Sequence, residues 1–187
     1  MWRLCAGLLA TLCWVGVASA QDVAAKAQEA QALAGQGKFV EAMGALDEAM
    51  AVLWDRAPLV MRRALWVNEE PKGFGAYAPR DNNVFAVGAA MIAYAEPIGF
   101  AWRKSGDLWR TDLAMDMVLR AKDGSELARK NDFQQLKVAS RVRNREFMTH
   151  FTYTFTGLPP GEYLVETTLR DKASGKSGTF ALPFVLR

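Results

Sequence analysis

Phe147-Met148-Thr149-His150-Phe151-Thr152-Tyr153-Thr154-Phe155-Thr156 is the stretch on which the fold turns. Successive side chains of a strand point to opposite faces. Phe147, Thr149, Phe151, Tyr153 and Phe155 therefore share one face, and so large an aromatic surface predicts a core. Met148, His150, Thr152, Thr154 and Thr156 fall on the other. Gly157-Leu158-Pro159-Pro160-Gly161 then breaks the pattern, and a strand follows from Tyr163 to Arg170. After a turn over Lys172–Gly178, a last strand sets Phe180, Leu182, Phe184 and Leu186 on one face, with Pro183 marking a sheet edge because it has no N–H to donate.

Working upstream, Leu113, Met115, Met117 and Leu119 alternate with Ala114, Asp116, Val118 and Arg120, ahead of the turn Asp123-Gly124. Short strands joined by turn signals predict an antiparallel β-sandwich from residue 62 to 187. Ala89–Ala95 is apolar on both faces, so both require cover. One face would meet the opposite sheet, and the other is a place for an N-terminal helical segment to pack.

Leu158-Pro159-Pro160-Gly161-Glu162-Tyr163 resembles the corner before a late strand of an immunoglobulin-like sandwich. That resemblance implies a tyrosine hydroxyl bonded back to the upstream backbone. Val165 stands where a true immunoglobulin domain carries a cysteine, so the likeness is to the sandwich and not to that family. Gly157–Leu186 is also similar to the C-terminal part of exported bacterial proteins of no assigned activity, an uncharacterised family.

Residues 21–61 read as a helical hairpin. Phe39, Ala42, Met43, Leu46, Ala49, Met50 and Leu53 recur at spacings of three and four, on one helix face. Val23, Ala27, Ala30, Leu33 and Ala34 form a weaker stripe, and Gly35 and Gly37 mark the turn between them. Ala30, Leu33, Gly37, Phe39, Ala42, Leu46 and Ala49 resemble one tetratricopeptide repeat. It departs from that pattern at Trp54, near the usual proline, and no second copy follows. About three such repeats are needed for stability, so a lone hairpin must pack on something else. The fold class expected is α+β: a helical hairpin followed by an antiparallel immunoglobulin-like β-sandwich.

Residues 1–20 carry Arg3, an apolar run from Leu4 to Val17, and Ala18-Ser19-Ala20 before Gln21. This is the arrangement of a cleavable signal peptide, too short for a membrane span of about 20 residues. It predicts a periplasmic or secreted protein beginning at Gln21. Cleavage removes Cys5 and Cys13, the only two cysteines, which excludes disulfides and cysteine metal sites. With Arg3 gone the chain keeps 22 basic and 20 acidic residues, a net of +2, too near balance to point to nucleic acid.

His150 is the only histidine, which excludes a multi-histidine metal site, and no nucleophile-elbow pattern accompanies it. Gly175-Lys176-Ser177 ends like a phosphate-binding loop but lacks the earlier glycine, since Arg170 stands in its place. Asp107, Asp112, Asp116 and Asp123 cluster in sequence without calcium-loop spacing. No cofactor and no catalytic residue is expected. Two features suit a partner. Phe74, Tyr77 and Arg80 lie in a glycine-rich stretch, either as an exposed patch or as plugs folded down on the sandwich. Lys137, Arg141, Arg143 and Arg145 share a parity and would form a basic strand face. The expectation is a non-catalytic envelope binding module engaging a protein. The alternative is a carbohydrate- or lipid-binding domain using the loop aromatics and the basic face.

Overall fold

The computed structural model describes residues 15–187, with side chains from residue 22 onward. Positions 1–14 of the expected signal peptide lie outside the described residues. The chain divides into two units, residues 1–54 and 55–187.

In the first unit, α1 (Val15–Gly35) and α2 (Phe39–Arg56) form two helices joined by a short turn. α1 crosses the Ala20–Gln21 junction at which the sequence predicts cleavage. Its end is a glycine stop: Lys38 N–H donates to Leu33 O and Gly37 N–H to Ala34 O, while Gly37 takes φ +75°. Only glycine adopts that left-handed conformation without a Cβ penalty. Among the described residues, no helix is long and apolar enough to cross a membrane.

The second unit is built from two sheets, almost wholly antiparallel. β1 (Val60–Val67), β3 (Met91–Ile98) and β7 (Thr149–Tyr153) make the smaller, in the order β1-β3-β7. The larger runs β2-β9-β8-β5-β4, from β2 (Val84–Phe85), β9 (Ser177–Leu186), β8 (Gly161–Asp171), β5 (Leu108–Ala121) and β4 (Arg103–Ser105). β6 (Glu126–Ser140) pairs β5 as a long hairpin. The one parallel pairing is the two-residue β2 against the end of β9. Pro183 is therefore on a nearly free flank, as its missing donor requires.

The aromatic faces read from the sequence meet between the sheets. Phe151 packs on Phe180, and Trp66 stands edge-on to Phe85, Tyr153 and Phe184. The Trp66 indole donates to Pro183 O at 2.9 Å, and the Tyr153 and Thr167 hydroxyls bond at 2.6 Å, so the polar tips of these rings are satisfied. Tyr163 donates to Pro159 O at 2.8 Å, the corner bond its sequence context implied.

Entry into β1 is tightly constrained. A Cβ on Gly178 would lie 2.0 Å from Leu59 O, and one on Gly99 would lie 2.2 Å from Pro58 O. Lys176 closes the same junction, its Nζ donating to the carbonyls of Asp55, Ala57 and Gly99 at 2.8 to 2.9 Å. The lysine of the phosphate-loop-like tripeptide is thus committed to backbone oxygens within the fold.

Candidate partner-binding surface

Alanine decides how the hairpin packs. Ala42 and Ala45 of α2 are buried with Ala30 of α1, and Leu33 and Ala34 pack against them. Small side chains let two helices approach closely, and the seam they choose leaves the larger apolar residues outside it. Phe39, Met43, Leu46, Met50 and Leu53 share the helix face read from the sequence with Ala42 and Ala49, but they are 46–66% exposed, and Val40 is 82% exposed. The sequence stripe splits along its length: the alanine edge is buried, the bulky edge is open. Phe39, Met43 and Leu46 face Ala27, Ala30 and Ala34 across a shallow apolar groove of about 380 Å³. Periodicity alone locates the apolar face but not which edge of it closes. The cluster of alanines at 42, 45 and 49 was the available signal.

The structure places the residues of the glycine-rich loop elsewhere than on an open patch. Tyr77 lies on Tyr94 with ring centroids 4.2 Å apart, and Phe74 sits under the Arg62 guanidinium at 4.8 Å. Both rings are half-buried. They are folded down on the small sheet, Tyr77 on β3 and Phe74 against Arg62 of β1, the second of the two arrangements considered. Tyr77 thereby covers Tyr94, on one face of the strand that is apolar on both sides, from within the sheet unit. Beneath that ring Tyr94 is fully buried; its hydroxyl receives Gly75 N–H at 3.0 Å and donates to Glu96 Oε1 at 2.7 Å. Glu96 Oε2 accepts from the Arg62 guanidinium at 2.7 to 2.8 Å. Burial, first, and the Glu96 carboxylate push the Tyr94 hydroxyl up to about 12.

Arg80 is also committed. It donates to the carbonyls of Asn82 and Val84 and to Asn68 Oδ1, and it stands over the Phe85 ring at 4.4 Å. The basic strand face does not form. β6 ends at Ser140, and residues 141–148 run as bends and irregular chain, so the parity that aligned Arg141, Arg143 and Arg145 with Lys137 has no sheet to act on. Arg143 pairs with Asp55 at 3.5 Å and caps the Trp109 ring at 5.0 Å, while Arg141 is exposed beside an exposed Val142. The structure therefore brings Phe74, Tyr77 and Arg80 into the packing of the small sheet and its rim, and separates Arg141 from Arg143.

His150 is half-buried, with Nε2 3.5 Å from Glu70 Oε1. The aspartates near β5 are spread among separate partners. Asp116 takes two bonds from Arg170 and one from Asp132 N–H, and its carboxyl is held below the usual range first by the Arg170 guanidinium. Asp123 caps its turn through Ser125. Among the described residues no group of three His, Cys, Asp or Glu side chains stands close enough to hold a metal.

No family model and no curated protein matches the chain. Among solved structures, it is similar to Spo0M, a sporulation control protein from Bacillus subtilis, at 13% identity and a TM-score of 0.31, over 70% of this chain and 50% of that one. It is also similar to the alkylpurine DNA glycosylase AlkC of Pseudomonas fluorescens, bound to DNA containing an abasic site analog. That match has 10% identity and a TM-score of 0.35, over 81% of this chain and 39% of that one. The chain thus spans half or less of the length of these two proteins, and likenesses this distant assign no function.

Proposed function

We propose that this chain is an exported, non-catalytic binding module of the bacterial envelope, and that its helical hairpin engages a protein partner. The observation that carries this reading is the open face of α2, where Phe39, Met43, Leu46, Met50 and Leu53 are all about half exposed or more. A contiguous apolar stripe of this kind is costly to leave in water and marks association surfaces in folded proteins. Its spacing of three and four suits a helix or a flat apolar surface laid along it, in the manner of helix-in-groove recognition. The tetratricopeptide-like arrangement of the two helices supports the same reading. Export rests on the signal-like segment 1–20. A carbohydrate- or lipid-binding role through the loop aromatics and the basic face is less well supported, because Phe74, Tyr77, Arg80 and Arg143 are engaged within the fold and Arg141 is left without them.

The test is crosslinking in the native envelope with the full chain tagged at its C-terminus. A variant carrying Phe39→Ser, Met43→Ser and Leu46→Ser runs in parallel, its helix content first checked by circular dichroism. A protein crosslinked to the wild type and lost from the variant is the expected result. Equal recovery of that protein with the folded variant overturns the surface assignment, and absence of any specific crosslink overturns the adaptor role. Fractionation and N-terminal sequencing of the product test export, with Gln21 expected as the first residue.

A further inference from the structure

The outer face of the larger sheet carries an arrangement that folding alone does not account for. Arg103 of β4 and Arg110 of β5 are direct cross-strand partners, so both guanidinium groups leave the sheet on the same side. Like charges directly opposed on a sheet are destabilising. The next strand sets Ala139 opposite Arg110 and Lys137 opposite Asp112, so a third cation stands one diagonal step away. Ala139 is too short to fill the space between these long side chains. The result is a depression of about 300 Å³ lined by Arg103, Arg110, Asp112, Lys137, Ala139 and Ala173.

Its charges are poorly answered from within. Arg110 carries no ion pair among the described residues. Arg103 donates to the Ala173 carbonyl at 2.9 Å, a neutral acceptor. The carboxylate present, Asp112, reaches Lys137 only at 3.8 Å through Oδ2, and its Oδ1 is buried with no hydrogen-bond partner among the described residues. Oδ1 has almost no accessible surface, so the carboxylate oxygen that a ligand can reach is Oδ2. The depression therefore offers two guanidinium groups for an oxyanion and, beside them, the weakly paired Asp112 Oδ2 as acceptor for a hydroxyl or ammonium donor.

We propose that this depression is a binding site for a small ligand bearing an oxyanion next to a hydrogen-bond donor. Arg103 and Arg110 hold the anionic group between them, Asp112 Oδ2 takes the donor, and Lys137 sets the field on the far side. The volume limits the ligand to the size of a monosaccharide, at the lower end of ligand pockets. A sugar phosphate and a uronic acid share this chemistry. The site lies wholly within the sheet unit and is independent of the hairpin.

Calorimetric titration of the full chain with glucose 6-phosphate, glucuronate and neutral glucose, at low and raised sodium chloride, tests it. One-to-one binding of either anion, weakened by salt and absent for glucose, is expected; a preference for the phosphate or for the carboxylate identifies the source. Arg110→Gln is expected to weaken binding by about tenfold or more, since it removes a charge-assisted, fork-shaped contact. The same variant is expected to unfold no earlier than wild type, because it relieves the opposed charges, and Arg103→Gln serves as the second variant should Arg110→Gln fail to fold. Failure of both anions to bind at millimolar concentration overturns the proposal, as does unchanged affinity in a folded arginine variant.

Discussion

Replacing Glu96 with alanine is expected to be among the most damaging single changes in the sheet unit. Glu96 is 5% exposed and joins Arg62 of β1 to Tyr94 of β3, which in turn holds Gly75 of the covering loop. Three losses follow from its removal. The Tyr94 hydroxyl, in a fully buried residue, loses its acceptor, which costs about 1–3 kcal/mol. Arg62 loses its partner but its side chain is 50% exposed and can turn to water, so that loss is worth roughly 0.5–1 kcal/mol. The buried methylene lost adds about 0.8 kcal/mol. Together these give about 3 kcal/mol, a large part of the ordinary stability of a domain, and roughly a 10 °C fall in Tm.

Urea unfolding followed by tryptophan fluorescence measures it, with the midpoint shifting and the slope unchanged. Tyr94→Phe and the double variant complete a cycle, in which the two residues should couple by about 1 kcal/mol or more. A loss below about 0.5 kcal/mol for Glu96→Ala, or additivity in the cycle, would refute the reasoning that this carboxylate ties strand to loop.

Thr111→Val should stabilise the protein by about 1 kcal/mol in the same assay, because the Thr111 hydroxyl is buried with no partner among the described residues and valine keeps its shape. Lys176→Met should cost about 2–3 kcal/mol, since it deprives the carbonyls of Asp55, Ala57 and Gly99 of one shared donor at the entry to β1. Acid titration of stability should show a limb from the Asp116–Arg170 pair: the folded carboxyl lies below its unfolded value, so its contribution is complete above about pH 4 and fades as pH falls through the folded value. Arg170→Gln should flatten that limb, and an unchanged acid profile would count against the pair.

Much of the sheet unit was legible because a period of two has one physical meaning. Phe151 and Tyr153, like Phe180, Leu182, Phe184 and Leu186, cannot face water together, and the structure buries all of them. Pro183 on a nearly free strand flank and the Tyr163 corner bond follow from the same kind of local chemistry. The two-helix segment was legible from alanine content, the three-four spacing and the Gly35–Gly37 stop.

The sequence by itself thus determined where most strands and helices run and which strand faces are core. Tertiary structure alone decided what the surface offers. Parity aligned Arg141 and Arg143, but β6 stops at Ser140, where no partner strand continues the ladder. Loop composition left Phe74 and Tyr77 either exposed or folded down, and Tyr94 under one ring and Arg62 over the other decided it. The apolar face of α2 was legible, but only packing showed that the alanines close the seam and leave Phe39, Met43 and Leu46 outside it. Arg103 and Arg110 are seven positions apart in a chain and become neighbours only through strand register. Burial along one element is a local property of its pattern, whereas the company a surface residue keeps depends on elements distant in sequence.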